Sequence, residues 1–272
     1  MRAISLIVLC NLLVSGCALA QAKEVVTQTY VLNDFSRVVL SGSHELELSL
    51  GDYSVQVQGM QEGDTLISRD DNTLFLGKSQ KGLYYDEPVK FRVRLPDLEI
   101  VTLRGSGRVF MRPMQSSRAV RLELQGSGSV YVHPSEFDSL MVELGGSGDV
   151  DASEVTVERL VANIAGSGVV QVGNLKAGSV MVSIGGSGDF SVRDDCTIDD
   201  DVTVNIAGSG DFNGKTCKAD MTMANIIGSG DVRVGTSRAI NANIVGSGSV
   251  YYQAADTSSA SVLGSGELKQ ME

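Results

Sequence analysis

Ile206-Ala207-Gly208-Ser209-Gly210-Asp211 decides the fold, because a near copy of it returns about every twenty residues until the sequence ends. Glycine-serine-glycine triplets begin at Gly105, Gly126, Gly146, Gly166, Gly186, Gly208, Gly228, Gly246 and Gly264, with spacings of 21, 20, 20, 20, 22, 20, 18 and 18 residues. A period in the twenties means one supersecondary unit per repeat, too small to bury its apolar side alone and covered by the next unit in a stack. Residues in register with the triplets say what that unit is. Two positions before each triplet stand Leu103, Leu124, Leu144, Ile164, Ile184, Ile206, Ile226, Ile244 and Val262, and four positions after each first glycine stand Val109, Val130, Val150, Val170, Phe190, Phe212, Val232, Val250 and Leu268. Four positions before the triplet the column is again apolar, from Val101 to Ala260, while the column between is polar throughout: Thr102, Glu123, Glu143, Asn163, Ser183, Asn205, Asn225, Asn243 and Ser261.

That alternation is the period of a half-buried strand. A helical repeat is excluded, since glycine costs roughly 1 kcal/mol in a helix interior and two recur in every unit. Strand, tight turn and strand remain. A turn that recurs at the same place in each coil leaves equivalent strands parallel and roughly 4.8 Å apart, so the sequence predicts an all-β parallel β-helix with about 20 residues per coil and G-S-G corners. Glycine suits the corner because it reaches positive φ without a Cβ penalty, and the serine hydroxyl can satisfy nearby backbone groups. Phosphate-cradling loops also use glycine, but here no helix follows and no Gly-Lys-Ser/Thr ending appears. The calcium-binding nonapeptide repeat begins like Gly145-Gly146-Ser147-Gly148-Asp149, yet its period and aspartate offset do not match.

Residues 1–20 read as a secretory signal: Arg2, the apolar run Ile4 to Val14, and Ala18-Leu19-Ala20 before Gln21. Val14-Ser15-Gly16-Cys17 also resembles a bacterial lipoprotein cleavage box, which would make Cys17 the acylated N-terminus, and the two readings stay open. Either exports the chain, to the periplasm, outer membrane or cell surface. The formal net charge of −11 becomes −12 once Arg2 leaves with the signal. An acidic surface disfavours nucleic acid and anionic lipid and names no partner.

Residues 21–104 are strand-rich but irregular, with alternating segments at Glu45–Leu48, Val55–Gln58 and Val89–Leu95. Ser41-Gly42-Ser43 reads as a degenerate corner. We expect irregular early coils there, a regular G-S-G helix over 105–272, and one continuous domain over 21–272. The chain runs only six residues beyond the last triplet, so self-association through an open C-terminal edge is a further expectation, blunted by Glu267, Lys269 and Glu272.

The export signal, the D-N-T-L-F-L segment (Asp71 to Leu76), the P-x-L motif (Pro96 to Leu98) and the serial aliphatic-x-G-S-G-D-V/F coils together resemble a bacterial family, the "putative auto-transporter adhesin, head GIN domain", over nearly the whole mature chain. The resemblance implies a right-handed β-helix akin to pectin-lyase-type solenoids, with the triplets at tight turns between sheets, no retained catalytic residues, and a role in cell adhesion. No β-barrel translocator segment is legible.

Catalytic chemistry is hard to find. His44 and His133 stand in no motif and read as solvated loop residues; no Ser-His-Asp order, zinc spacing or nucleophile elbow is present. Tryptophan is absent, and sugar-stacking aromatics reduce to tyrosines such as Tyr84, Tyr85, Tyr131 and Tyr251. The polar column Asn163, Ser183, Asn205, Asn225 and Asn243 would bond coil to coil as a ladder. Cys196 and Cys217 fall at equivalent places on adjacent coils, ten residues after Gly186 and nine after Gly208, within the Cα separation a disulfide accepts. Asp149, Asp189, Asp211 and Asp231 all stand three residues after the first glycine of a triplet. They read as caps that turn inward to accept backbone N–H bonds of their own corners; an oxygen-rich calcium edge at Asp189, Asp211 and Asp231 is the alternative, interrupted by Val169 and Ser249. No other cofactor is expected. The sequence thus points to a non-enzymatic exported β-helix that binds or scaffolds at the cell envelope, its ligand an unidentified polysaccharide or protein. An enzyme acting on envelope or extracellular polysaccharide is the alternative.

Overall fold

The computed structural model describes residues 27–61, 63–81, 85 and 87–271. The expected signal sequence, Cys17, Tyr84 and Glu272 lie outside them. The protein is an all-β solenoid of about nine turns with about 20 residues per coil, the architecture that the triplet spacing predicts.

One coil shows why the chain winds. Between Asp149 and Gly166 the inward positions are Val150 and Ala152, then Val155 and Val157, then Leu160, Ala162 and Ile164. Exposed pairs at Ser153-Glu154 and Glu158-Arg159 separate the three sets. Successive side chains on a strand point to opposite faces, so two outward residues in a row let the backbone turn a corner while the next apolar residue still points inward. Each coil therefore has three facets: facet 1 before the triplet, facet 2 after it, and facet 3 between them. The sequence columns disclose facets 1 and 2 only. Inward positions on facet 3 pass from Phe137 through Val157 and Ala177 to Ile198, too uneven in size to read as a column.

The triplet is the fixed corner. Its first glycine adopts φ between +116° and +154° in all nine coils. A Cβ on the first or third glycine would fall under 3.0 Å from a carbonyl oxygen of the coil beneath, which side chains do not tolerate. The serine N–H donates to the carbonyl of the first glycine one coil below, as in Ser187 N to Gly166 O at 2.9 Å and Ser209 N to Gly186 O at 2.8 Å. The corner thus holds coils in contact at backbone distance. Changes in coil length go elsewhere: Leu175 pairs with Cys196 and Val180 with Val202, so the 22-residue coil gains its residues at the other two corners. The first 18-residue coil loses two at the corner between Gly214 and Lys218.

At the N-terminal end the strands are β1 (Thr27–Tyr30), β2 (Arg37–Gly42), β3 (Glu45–Leu50), β4 (Ser54–Gln58), β5 (Ile67–Asp70), β6 (Thr73–Leu76), β7 (Lys90–Leu95), β8 (Ile100–Gly105) and β9 (Arg108–Met111). They stack out of chain order. β2 pairs in parallel with β6 on one edge and β8 on the other, and β3 likewise lies between β7 and β9. The first coil is therefore sandwiched by two later passes, where simple succession is the expectation from sequence. Antiparallel strands finish this end: β4 on β7, β1 on β4, and β5 on β6. They cover the strand edges a bare first coil would expose.

The remaining strands are β10 (Met114–Gly126), β11 (Ser129–Val132), β12 (Ser135–Gly146), β13 (Asp149–Gly166), β14 (Val169–Gly186), β15 (Asp189–Val192), β16 (Cys196–Ile198), β17 (Asp201–Gly208), β18 (Phe212–Gly228), β19 (Val232–Gly246), β20 (Val250–Gly264) and β21 (Leu268–Gln270). All pair in parallel, coil on coil, around a continuous aliphatic core that includes the stacked Phe190 and Phe212 rings, 5.5 Å apart. Inward positions turn polar or small at the far end, where Ser258 stands opposite buried Ile240 and exposed Ala260 opposite Ala242.

Candidate functional site

Facet 2 carries the densest chemistry, and its N-terminal end is where the out-of-order stacking acts. Outward positions on β3 are Glu45 and Glu47; β7 brings Lys90, Arg92 and Arg94 to one side, and β9 with the residue after it brings Arg108 and Arg112 to the other. Glu45 pairs with Lys90 and Arg108, each at 3.4 Å; Glu47 pairs with Arg92 at 3.4 Å and Arg112 at 2.6 Å. The Arg112 hydrogen bond, aided by the Arg92 and Arg112 charges, holds the Glu47 carboxyl below its usual range despite some desolvation. Five cations thus face two carboxylates. The four paired cations keep about half of their side-chain surface in solvent, between 49% and 59%.

Next to the cations lies a flat aromatic step. Phe110 on β9 and Tyr131 on β11 are cross-strand neighbours whose rings stack at 5.0 Å and 11°. A surface hollow of about 390 Å³ runs beside them, lined by Glu45, Glu47, Lys90, Arg92, Arg112 and His133 among others. On the far side of the cations, β4 places Gln58 opposite Lys90 and Gln56 opposite Arg92.

His44 corrects the expectation of a solvated loop histidine. It is 6% exposed and occupies the place that Gly107 takes in the coil above, because Gly42, with φ +89°, plays the first corner glycine. Its Nδ1 accepts the Val89 N–H at 3.2 Å and the ring donates to the Gly77 carbonyl, so the proton sits on Nε2. Burial lowers its pKa. Beside its ring, Tyr85 donates to Asp64 Oδ2 at 2.7 Å. Asp64 also accepts from Ser79 and from the Thr65 N–H. Burial works against the Asp64 charge, but these bonds and Lys81 outweigh it and hold the carboxyl below its usual value. Burial and the Asp64 carboxylate push the Tyr85 phenol up to about 12. These bonds tie Asp64, Ser79, Tyr85 and Val89 together around the buried His44 ring. His133 is half-buried at the rim of the hollow.

The aspartate column forms as the sequence predicts, with one difference in who is capped. Asp189 Oδ1 accepts the N–H of Asp211, Asp211 Oδ1 that of Asp231, and Asp231 Oδ1 that of Ser249, at 2.8, 2.8 and 3.0 Å. Each carboxylate caps the next coil and not its own corner. Arg233 bridges the second oxygens of Asp211 and Asp231 at 3.5 and 2.9 Å, and lies over the Tyr251 ring, so the stacked charges are offset. Asp194-Asp195 and Asp199-Asp200 lie at the two other corners, away from this column. Among the described residues no three His, Cys, Asp or Glu side chains converge on a metal position.

Cys196 and Cys217 are register partners on facet 3 and form a disulfide with a Cα separation of 4.3 Å, both thiols' positions being buried in the core. On facet 1, Asn225 donates to Asn205 and Asn243 to Asn225, each at 2.9 Å, so the amide ladder is real over these three coils.

The model of the family described as "Putative auto-transporter adhesin, head GIN domain" matches residues 34–203 and 200–255. The chain belongs to this family. Its head GIN domain fold recurs in solved structures: a protein described as a "Putative lipid binding protein" from Parabacteroides distasonis (21% identity, TM-score 0.62), a "putative adhesin" from the same species (17%, 0.61) and a "putative adhesin" from Parabacteroides merdae (16%, 0.63). Each likeness covers 92% of this chain and 98% of the other, and at these identities it speaks for the fold alone. No curated protein matches this head GIN domain in sequence. The cation cluster of facet 2 escaped the sequence reading because Arg108 and Arg112 lie 63 and 65 residues from the glutamates they meet. The available signal was the alternation Lys90-x-Arg92-x-Arg94, three cations on one strand face.

Proposed function

We propose that this head GIN domain protein is a non-catalytic, exported scaffold that binds a ligand of the cell envelope or extracellular matrix in the manner the family name describes. The observation that carries the reading is the use made of its reactive side chains. His44 is locked in backbone bonds, the aspartate column caps amides, and the charged and aromatic groups that remain accessible are spread along a flat facet beside shallow hollows. A site that hydrolyses glycosidic bonds instead needs two carboxylates set at fixed separation across the scissile bond, with one held protonated by its surroundings. Glu47 is pushed the other way, toward ionisation, by its arginines.

The test is incubation of the purified protein with envelope and extracellular polysaccharides, measuring both retention on the polymer and release of new reducing ends or unsaturated uronates. Retention without cleavage is the expected result. Cleavage that tracks the protein through purification and is lost on mutating a single side chain would overturn the reading.

A further inference from the structure

We infer that the N-terminal end of facet 2 binds an acidic polysaccharide, a polymer of carboxylated or sulfated sugars; this deepens the scaffold reading and rests on it. Charge placement is the first reason. Residues 27–121 carry 12 Lys and Arg against 12 Asp and Glu, whereas residues 122–272 carry 8 against 20, so the acidity of the molecule lies almost wholly in its C-terminal coils. Within the balanced half, three strands gather Lys90, Arg92, Arg94, Arg108 and Arg112 on one outward surface around only Glu45 and Glu47. Further along the same facet the cations are matched: Arg193 is held by Asp151, and Arg233 by Asp211 and Asp231.

The second reason is the combination of groups. Cations on β7 and β9 flank β3, which spaces them by about 10 Å, or two interstrand distances. Along β7, Lys90, Arg92 and Arg94 recur every second residue, about 6.6 Å apart. Anions repeating along a polymer can meet such an array, and a guanidinium offers paired donors to a carboxylate or sulfate. The Phe110–Tyr131 step adds an apolar platform at the edge of the cations, of the kind on which the C–H face of a sugar ring rests, with Tyr131 36% exposed. Gln56 and Gln58 supply amides that can donate to and accept from hydroxyls on the other flank. A phospholipid surface needs the charges but not the aromatic step or the amides, and the flanking Asp149 and Asp151 would be repelled by a continuous anionic plane.

The glutamates have a defined part. By pairing across both strands they pre-set the arginine geometry in the free protein, while the exposed halves of Arg92, Arg108 and Arg112 remain to bind. Displacing these half-exposed pairs costs little, because ion pairs in solvent contribute at most about 1 kcal/mol each.

Binding of the purified protein to immobilised alginate and dextran sulfate is measured against neutral dextran, and against vesicles of phosphatidylglycerol in phosphatidylcholine, at low and high salt. The variants are R92Q/R108Q/R112Q, Y131A and, as an off-site control, R238Q, whose guanidinium pairs with Asp220. The inference expects binding to at least one acidic polymer, weakened by salt, reduced about tenfold or more in the triple variant and unchanged in R238Q. Y131A should weaken binding without changing its salt dependence. R238Q should stay within a few degrees of the wild-type melting midpoint, whereas the triple variant loses three half-exposed ion pairs and Y131A its stack on Phe110, so all binding is read well below each variant's measured midpoint. A triple variant that folds normally and binds acidic polymer as tightly as wild type overturns the inference while leaving the scaffold reading standing. So does equal binding to neutral dextran, or binding to anionic vesicles alone. New reducing ends in the same incubations would overturn the non-catalytic reading by itself, because the variant affinities are read separately.

Discussion

Gly185 and Gly186 are adjacent glycines that the structure holds to opposite rules. At Gly186 the backbone has φ +146°, and an added Cβ would fall under 3.0 Å from the Gly166 carbonyl oxygen of the coil beneath. At Gly185 the nearest atom to an added Cβ is the Ile164 carbonyl oxygen, 3.9 Å away, which is ordinary contact. Its register partner in the next coil is already an alanine, Ala207. Alanine at 186 must bear a disfavoured backbone conformation, about 1–3 kcal/mol. It must also push two coils apart at the point where Ser187 N–H donates to Gly166 O at 2.9 Å, weakening a bond with a net worth of about 0.5–1.5 kcal/mol. With loosened packing of the flanking Ile184 and Phe190, G186A should cost about 3 kcal/mol or more. G185A removes only unfolded-state freedom and should be neutral or stabilising by about 0.4–1 kcal/mol. At about 2–4 °C per kcal/mol for a chain of this size, the two variants should differ by on the order of 10 °C. Circular dichroism during thermal and urea unfolding reads the difference, with the urea slope checked for constancy because stacked repeats can unfold piecewise. Midpoints for the two variants that agree within about 2 °C would refute the argument that backbone contact between coils, and not glycine content, defines the corner.

Opening the Cys196–Cys217 bond, which closes a 21-residue separation, should cost about 3 kcal/mol by loop entropy; reductant should lower the midpoint of wild type and leave C196A/C217A unmoved. Because burial lowers the His44 pKa, the unfolded chain protonates first. The stability His44 confers is therefore complete above pH about 6.5 and is lost as pH falls through the folded value, with a slope of at most ~1.4 kcal/mol per pH unit. Urea midpoints between neutral and mildly acid pH should lose that component of slope in His44→Gln, and an unchanged slope would show that the ring is solvated after all. Since Asp189, Asp211 and Asp231 each spend an oxygen on the next coil, calcium should leave the wild-type melting midpoint where it is in chelator. Asp211→Ala should cost about 1 kcal/mol of stability for the lost cap, or about 2–4 °C in the midpoint, and a calcium-dependent rise abolished by Asp→Asn at 189, 211 and 231 would restore the metal-edge reading.

What the sequence by itself determined is everything that repeats with the coil. A triplet whose first and third residues must be glycine because backbone meets backbone, apolar columns two before and four after it, and aspartates and asparagines in the same phase all read directly, since parallel stacking puts equal sequence positions one strand apart. The Cys196–Cys217 pairing follows from that same arithmetic. Apart from that cysteine pair, facet 3 was not legible, because the corners on either side of it absorb the length changes and its inward positions mix Phe137, Ala177 and Cys196. Nor was the N-terminal end, where only the tertiary structure decided that β2 and β3 lie between two later passes of the chain. That insertion buries His44 under Val89 and Gly77, and it brings Arg108 and Arg112 against Glu45 and Glu47 across more than sixty residues. A period relates neighbours in a stack; it carries no information about a coil whose spatial neighbours are not its neighbours in the chain.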